Sequence, residues 1–138
     1  MEATYVTQDK FGMYAGTDGQ GPGPGIMGAG TLIGNSVYNA RGEHLGDIEE
    51  FMVEMTSGTI RYAVLSALAD AQAGTHLLAV PFAALMLDGN RHRFVLHITR
   101  DAFRDAPRFD TAHWPSMADP TWAQELHRFY GTTSSAPP

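Results

Sequence analysis

Residues 46–87 decide the fold class, and they read GDIEEFMVEMTSGTIRYAVLSALADAQAGTHLLAVPFAALML. Over much of residues 46–55, apolar side chains recur at every second position, as in a β-strand with one buried face. The spacing of three between Ile48 and Phe51 breaks this alternation. The break predicts a β-bulge at Glu49-Glu50, which would bend the strand as a small barrel requires.

The rest of this stretch predicts further strands separated by turns. Thr56-Ser57-Gly58 is typical of a tight hairpin turn, and it leads into a strand over residues 59–68. A strand over residues 76–80 ends at Pro81, because proline has no N–H to donate to the ladder. Residues 82–85 then predict one helical turn before the chain becomes extended again.

The strand of residues 59–68 has apolar residues on both faces, which indicates a strand that is central or covered on both sides. We assign the alternate positions Ile60, Tyr62, Val64 and Leu68 to the core. The opposite face then predicts an apolar outer patch formed by Ala63, Leu65 and Ala67. Such a patch would mark a protein contact unless the C-terminal helix covers it.

Composition divides the chain into four segments. Residues 1–30 predict a disordered Gly-rich tail and residues 132–138 a second disordered tail. Residues 31–98 predict a small closed β-barrel of about six strands, and residues 99–131 a helical C-terminal extension. The fold class is therefore mainly β.

Two helices are predicted in the extension. Thr99 is placed to N-cap a short helix that runs through Ala106 and is terminated by Pro107. Asp119 as N-cap, Pro120 at the first helical position and Gly131 at the C-terminal end bracket a second helix. The aromatic residues of the extension would cap an open end of the barrel, with a ligand box or an interface as alternatives; they are Trp114, Trp122, Phe129 and Tyr130.

Charge and composition exclude several function classes. The chain of 138 residues has a net charge of -6, and its nine Lys and Arg residues are scattered, which argues against nucleic-acid binding and against an anionic membrane surface. It contains no cysteine, so disulfides, iron–sulfur clusters and thiol catalysis are excluded. No apolar run is long enough to cross a bilayer, and the N-terminus lacks the features of a signal peptide. We therefore expect a cytoplasmic protein.

Candidate chemistry in the sequence is weak. A GxGxxG pattern at Gly23, Gly25 and Gly28 lacks the preceding strand and following helix of a phosphate-binding loop, so we interpret it as linker. Ser57 and Ser66 have no histidine and aspartate partners nearby in the sequence, and no nucleophile-elbow pattern is present. The acidic residues at Asp47, Glu49, Glu50 and Glu54 favour a solvated or partner-binding edge over a catalytic pair. The six histidines show no short metal-ligand spacing; they are His44, His76, His92, His97, His113 and His127.

Four segments together resemble the PRC-barrel family, which is named for the cytoplasmic part of the photosynthetic reaction-centre H subunit and also occurs in a ribosome-maturation factor. They are LIGNSVYNARGEHLGDIEEF at 32–51, SGTIRYAVLS at 57–66, LLAVPFAAL at 77–85 and RFVLHIT at 93–99. The segment at 106–131 is similar to the C-terminal extension of stand-alone bacterial members. The loop over residues 66–75 departs from the glycine-rich, aromatic loop of many members, so partner identity does not carry over.

The resemblance implies a barrel used as an adaptor or assembly module without catalysis or cofactor. We predict a homodimeric protein-interaction module with a partner of unknown identity. The expected contact residues are Ala63, Leu65, Ala67, Asp70, Gln72, Trp114, Trp122 and Tyr130. The alternative is a small-molecule or metal-binding sensor that uses the barrel mouth and its histidines.

Overall fold

The computed structural model describes residues 26–67, 76–88 and 93–132. These residues form three α-helices, one short 3₁₀ helix and seven strands. In chain order they are α1 (Ala29–Leu32), β1 (Ser36–Tyr38), β2 (His44–Glu54), β3 (Thr59–Ala67), β4 (His76–Pro81), the 3₁₀ helix (Phe82–Ala84), β5 (Leu85–Asp88), β6 (Arg93–Leu96), α2 (Arg100–Arg104), β7 (Phe109–Asp110) and α3 (Pro120–Tyr130). The mainly β class and the helical turn after Pro81 are confirmed.

The strands form one sheet in the order β5-β6-β1-β2-β3-β4-β7. Its pairs are antiparallel except for β1 and β6, which run parallel with Val37 opposite Phe94. Within the described residues β5 and β7 form the two edges and do not pair with each other, so the sheet is open. The predicted closed barrel is therefore not confirmed.

The hairpin of β2 and β3 is the longest ladder of the sheet. Its register shifts between Ile48 and Glu50, so the predicted bulge is confirmed. Gly58 closes the turn with φ of 73°, a conformation that side chains disfavour. Gly46 meets β3 so closely that a Cβ there would lie 2.0 Å from the Ser66 carbonyl oxygen.

The main hydrophobic core contains the face of β3 that we assigned to the outside. Ala63 and Leu65 are 0% exposed and Ala67 is 4% exposed, and all three pack in one cluster with Ile48 and Leu78. Tyr62, assigned to this core, instead packs on the opposite face with Ala79 and Leu126 of α3. Ile60 packs against the main core as assigned, but the face assignment was wrong for Tyr62 and for the three residues on the other face, because a strand covered on both sides has no polar face to orient it.

Both predicted N-caps and the stop at Gly131 are confirmed, whereas α2 ends at Arg104, two residues before the predicted Ala106. The Thr99 side chain accepts a hydrogen bond from the Ala102 amide at the start of α2, and the Asp119 side chain accepts one from the Thr121 amide at the start of α3. Gly131 ends α3 in the left-handed conformation, with φ of 70°. The structure adds the short helix α1, which begins inside the predicted tail and places Leu32 in the core.

Candidate functional site

A groove of about 610 Å³ lies between the β2–β3 hairpin and the segment that leads into α3. We call it the hairpin groove. One wall belongs to the hairpin and consists of Met52, Val53, Glu54, Thr56, Arg61 and Tyr62. The other wall belongs to the C-terminal extension and consists of Met117, Ala118, Pro120, Ala123 and Gln124.

Packing of α3 on the outer face of β3 and β4 creates the groove. The rings of Tyr62 and Trp122 meet edge-on with centroids 5.3 Å apart, a favourable aromatic geometry. Leu126, one turn further along α3, is buried against the same face. Met52 and Met117 pack at the margin of this cluster. The extension is therefore fixed to the sheet, and the groove is part of the folded monomer.

The two charged residues of the groove form an ion pair with each other. The Arg61 guanidinium contacts the Glu54 carboxylate, and both side chains are largely buried. The Thr56 hydroxyl donates a second hydrogen bond to Glu54 over 3.1 Å. These two charges therefore neutralise each other within the wall. The rest of the lining is mainly apolar, and its methionine side chains can adapt to apolar groups of irregular shape.

The hairpin exposes unusually large apolar side chains beside the groove. Met55 at the turn is 88% exposed, and Val53 on the groove wall is 47% exposed. Exposed apolar side chains next to a groove mark a contact site more often than scattered single residues do. The groove and the hairpin tip together therefore form the best candidate interaction surface among the described residues.

His127 of α3 lies behind the groove and is almost fully buried. Its Nδ1 is 2.7 Å from the Thr132 hydroxyl, and its ring centroid is 6.1 Å from that of Tyr62. Burial, and the positive charge of Arg61, lower the pKa of His127. The packing that makes the groove therefore disfavours protonation of the imidazole.

Tyr130 at the end of α3 contacts both hydrophobic clusters. Its hydroxyl is buried without a hydrogen-bond partner in the described part of the chain. Burial raises the pKa of Tyr130 well above its usual range. The ring of Tyr130 therefore stabilises the fold through packing, whereas burial of its hydroxyl away from water is unfavourable.

The predicted contact residues are not brought together. The side chains of Ala63, Leu65 and Ala67 are buried in the main hydrophobic core, so the prediction of an outer patch there was wrong. Trp122 and Tyr130 are partly buried where the extension packs on the sheet. Trp114 remains 44% exposed, although its ring lies 4.8 Å from that of Phe109. Asp70 and Gln72 fall outside the described residues.

The histidines and acidic residues serve separate local contacts. His44 lies 2.9 Å from the Asp47 carboxylate and stacks on Tyr38. Glu49 accepts a hydrogen bond from the Ser66 hydroxyl over 2.7 Å. His97 and His113 are exposed, and His92 lies outside the described residues. Across residues 26–67, 76–88 and 93–132, no three histidine or carboxylate side chains cluster as metal ligands would.

Sequence reasoning missed Met52, Met117 and the pair of Glu54 and Arg61. Arg61 is the only charged residue of β3, and Glu54 precedes the same turn. Two opposite charges that flank a hairpin turn are a detectable signal for a cross-strand pair. No such signal identifies Met117, because its position in the groove depends on how the C-terminal extension packs on the sheet.

Comparison with known protein families identifies a match. The family model described as the PRC-barrel domain matches residues 24–103. No curated protein matches the chain at a significant level. In the ranges that the structure describes, no helix is both long and apolar enough to cross a membrane.

Proposed function

Since the chain belongs to the PRC-barrel domain family, whose model covers more than half of it, we propose that it is a non-enzymatic protein-interaction module. In this proposal it acts as a homodimeric adaptor in the bacterial cytoplasm, and its partner docks in the hairpin groove. The absence of cysteine from the sequence fits a reducing compartment.

The groove is the observation that carries the proposal. It combines an apolar, methionine-containing lining with charges that already satisfy each other. A docking partner would bury apolar surface there without leaving an unpaired charge, which is the costly outcome at an interface. A methionine-rich surface also adapts to partners of different shape.

Exposed apolar side chains supply the support for self-association. Besides Val53 and Met55, the edge strand β5 exposes Met86 and Leu87. An edge strand with apolar side chains and little charge offers free backbone groups to a second strand. Light scattering after size exclusion tests the dimer, and a clean monomer at micromolar concentration would remove the homodimer from the proposal.

A photo-crosslinking amino acid at Thr56, on the groove wall, tests the docking proposal. The matched control carries the same amino acid at Ala83, an exposed residue that is not part of the groove. We expect a discrete crosslinked protein from the Thr56 position in cells, and its loss when Ala118→Glu places a charge in the groove. Equal crosslinking from both positions would contradict the proposal.

The second candidate function is a small-molecule sensor. A volume of about 610 Å³ lies in the range of small-molecule sites, roughly 300–1,000 Å³. The groove would then replace the barrel mouth and the histidines as the binding site. Native mass spectrometry of freshly purified protein distinguishes the two functions, because a retained stoichiometric ligand would favour the sensor.

A further inference from the structure

The sequence before the described residues has two parts with different compositions. Residues 5–14 carry the large apolar side chains Tyr5, Phe11, Met13 and Tyr14. Residues 15–25, AGTDGQGPGPG, contain none. A segment of apolar side chains joined to a folded domain through a spacer is the arrangement of a tethered ligand.

The chemistry of this segment complements the groove. Aromatic rings make favourable contacts with methionine sulfur, and the groove presents Met52 and Met117. Lys10, the single lysine of the chain, precedes Phe11. The opposite charge is that of Asp119, which follows the groove residue Ala118 in sequence and N-caps α3 by accepting a hydrogen bond from the Thr121 amide.

The spacer is long enough to reach the groove. The Gly34 amide donates to the Ile48 carbonyl over 2.7 Å, so the chain enters the sheet beside Ile48. From Ile48 to the groove at Val53, β2 covers about 17 Å. From Gly34 back to Ile26, across α1, the chain covers at most about 22 Å. Residues 14–26, when extended, span up to about 40–43 Å, which is sufficient for this path.

We infer that residues 5–14 occupy the hairpin groove of their own chain and leave it when a partner binds. This inference rests on the proposed function of the groove as a docking site. The tether keeps the segment near the groove, so weak contacts are sufficient to hold it there. A partner must compete with the segment, which sets a threshold for docking.

Disulfide trapping tests the inference in the full chain, which has no cysteine of its own. The test variant combines Gly12→Cys with Ala118→Cys, and the matched control combines Gly12→Cys with Ala83→Cys. Both alanines are exposed, but only Ala118 lines the groove. We expect the intrachain disulfide of the test variant to form about tenfold faster than that of the control, because docking holds the segment beside one thiol.

Further changes decide between the outcomes. Adding Phe11→Ala and Tyr14→Ala should reduce the faster rate to that of the control. Equal rates in the two parent variants would overturn the inference, and so would disulfides that form only between two chains. If the rates are equal while crosslinking from Thr56 still captures a protein, the tail inference fails and the proposed function stands.

Discussion

The rings of Trp122 and Tyr62 meet edge-on at 5.3 Å, and this contact fixes α3 to the outer face of β3. Tyr62 is buried, whereas Trp122 is only partly covered. The contact therefore holds one wall of the hairpin groove against the other.

Trp122→Ala should lower the free energy of unfolding by about 2 kcal/mol, less than for a fully buried tryptophan because the indole is partly exposed. Trp122→Phe should retain most of the stability. Urea unfolding followed by circular dichroism measures both. The control is Trp114→Ala, for which we expect less than about 1 kcal/mol because that residue is 44% exposed. An equal loss in Trp114→Ala and Trp122→Ala would contradict the role of the contact.

Gly46→Ala should destabilise the protein by at least about 3 kcal/mol, because a Cβ would lie 2.0 Å from a backbone oxygen that cannot move without breaking the ladder. The matched control is Gly30→Ala in α1, where a Cβ meets nothing within 4 Å. That variant should be neutral or gain about 0.5–1 kcal/mol from helix propensity. Thermal unfolding of the two variants side by side checks the difference in sign.

Tyr130→Phe should raise the free energy of unfolding by about 1 kcal/mol, because it removes a buried hydroxyl that has no hydrogen-bond partner in the described part of the chain and keeps the ring. Denaturant unfolding of the variant and the parent protein gives the value. A loss of stability instead would show that the hydroxyl is satisfied in solution.

Stability should fall as the pH drops through 6.5, the pKa of an unperturbed histidine. The pKa of His127 is lowered in the folded state by burial and by Arg61, so the unfolded chain takes up the proton first as the pH falls. Protonation therefore stabilises the unfolded state relative to the folded state. Above that pH both states are neutral at this residue and the effect vanishes. Thermal unfolding between about pH 8 and pH 5.5 measures the slope.

His127→Gln should flatten this slope, because the glutamine cannot titrate. The matched control His97→Gln removes an exposed histidine and should leave the slope unchanged. A slope that survives in His127→Gln would assign the pH dependence to other groups.

Local signals made part of the fold predictable. The N-cap at Asp119, the stop at Gly131 and the bulge after Ile48 depend on a few neighbouring residues, and the structure contains all three. The orientation of β3 was not predictable in this way. One face of that strand packs in the main hydrophobic core and the other packs against α3. Apolar residues therefore lie on both faces, and their alternation does not predict which face points to the main core.

The groove was not predictable for a related reason. Its walls come from a hairpin and from a segment more than fifty residues away in the sequence, and no local pattern records that they meet. Trp122 was selected for its aromatic character, but its role depends on Tyr62 lying opposite. Tertiary contact of this kind is set by packing and not by propensity.

The parallel pairing of β1 and β6 has a consequence for synthesis on the ribosome. Val37 emerges early, yet its neighbour Phe94 follows only after β2, β3, β4 and β5 have been made. Until then β1 has one open side, and the nascent chain presents an unfinished sheet. Such late, long-range closure slows folding, and the open side of β1 exposes the first part of the chain to aggregation until β6 has been translated.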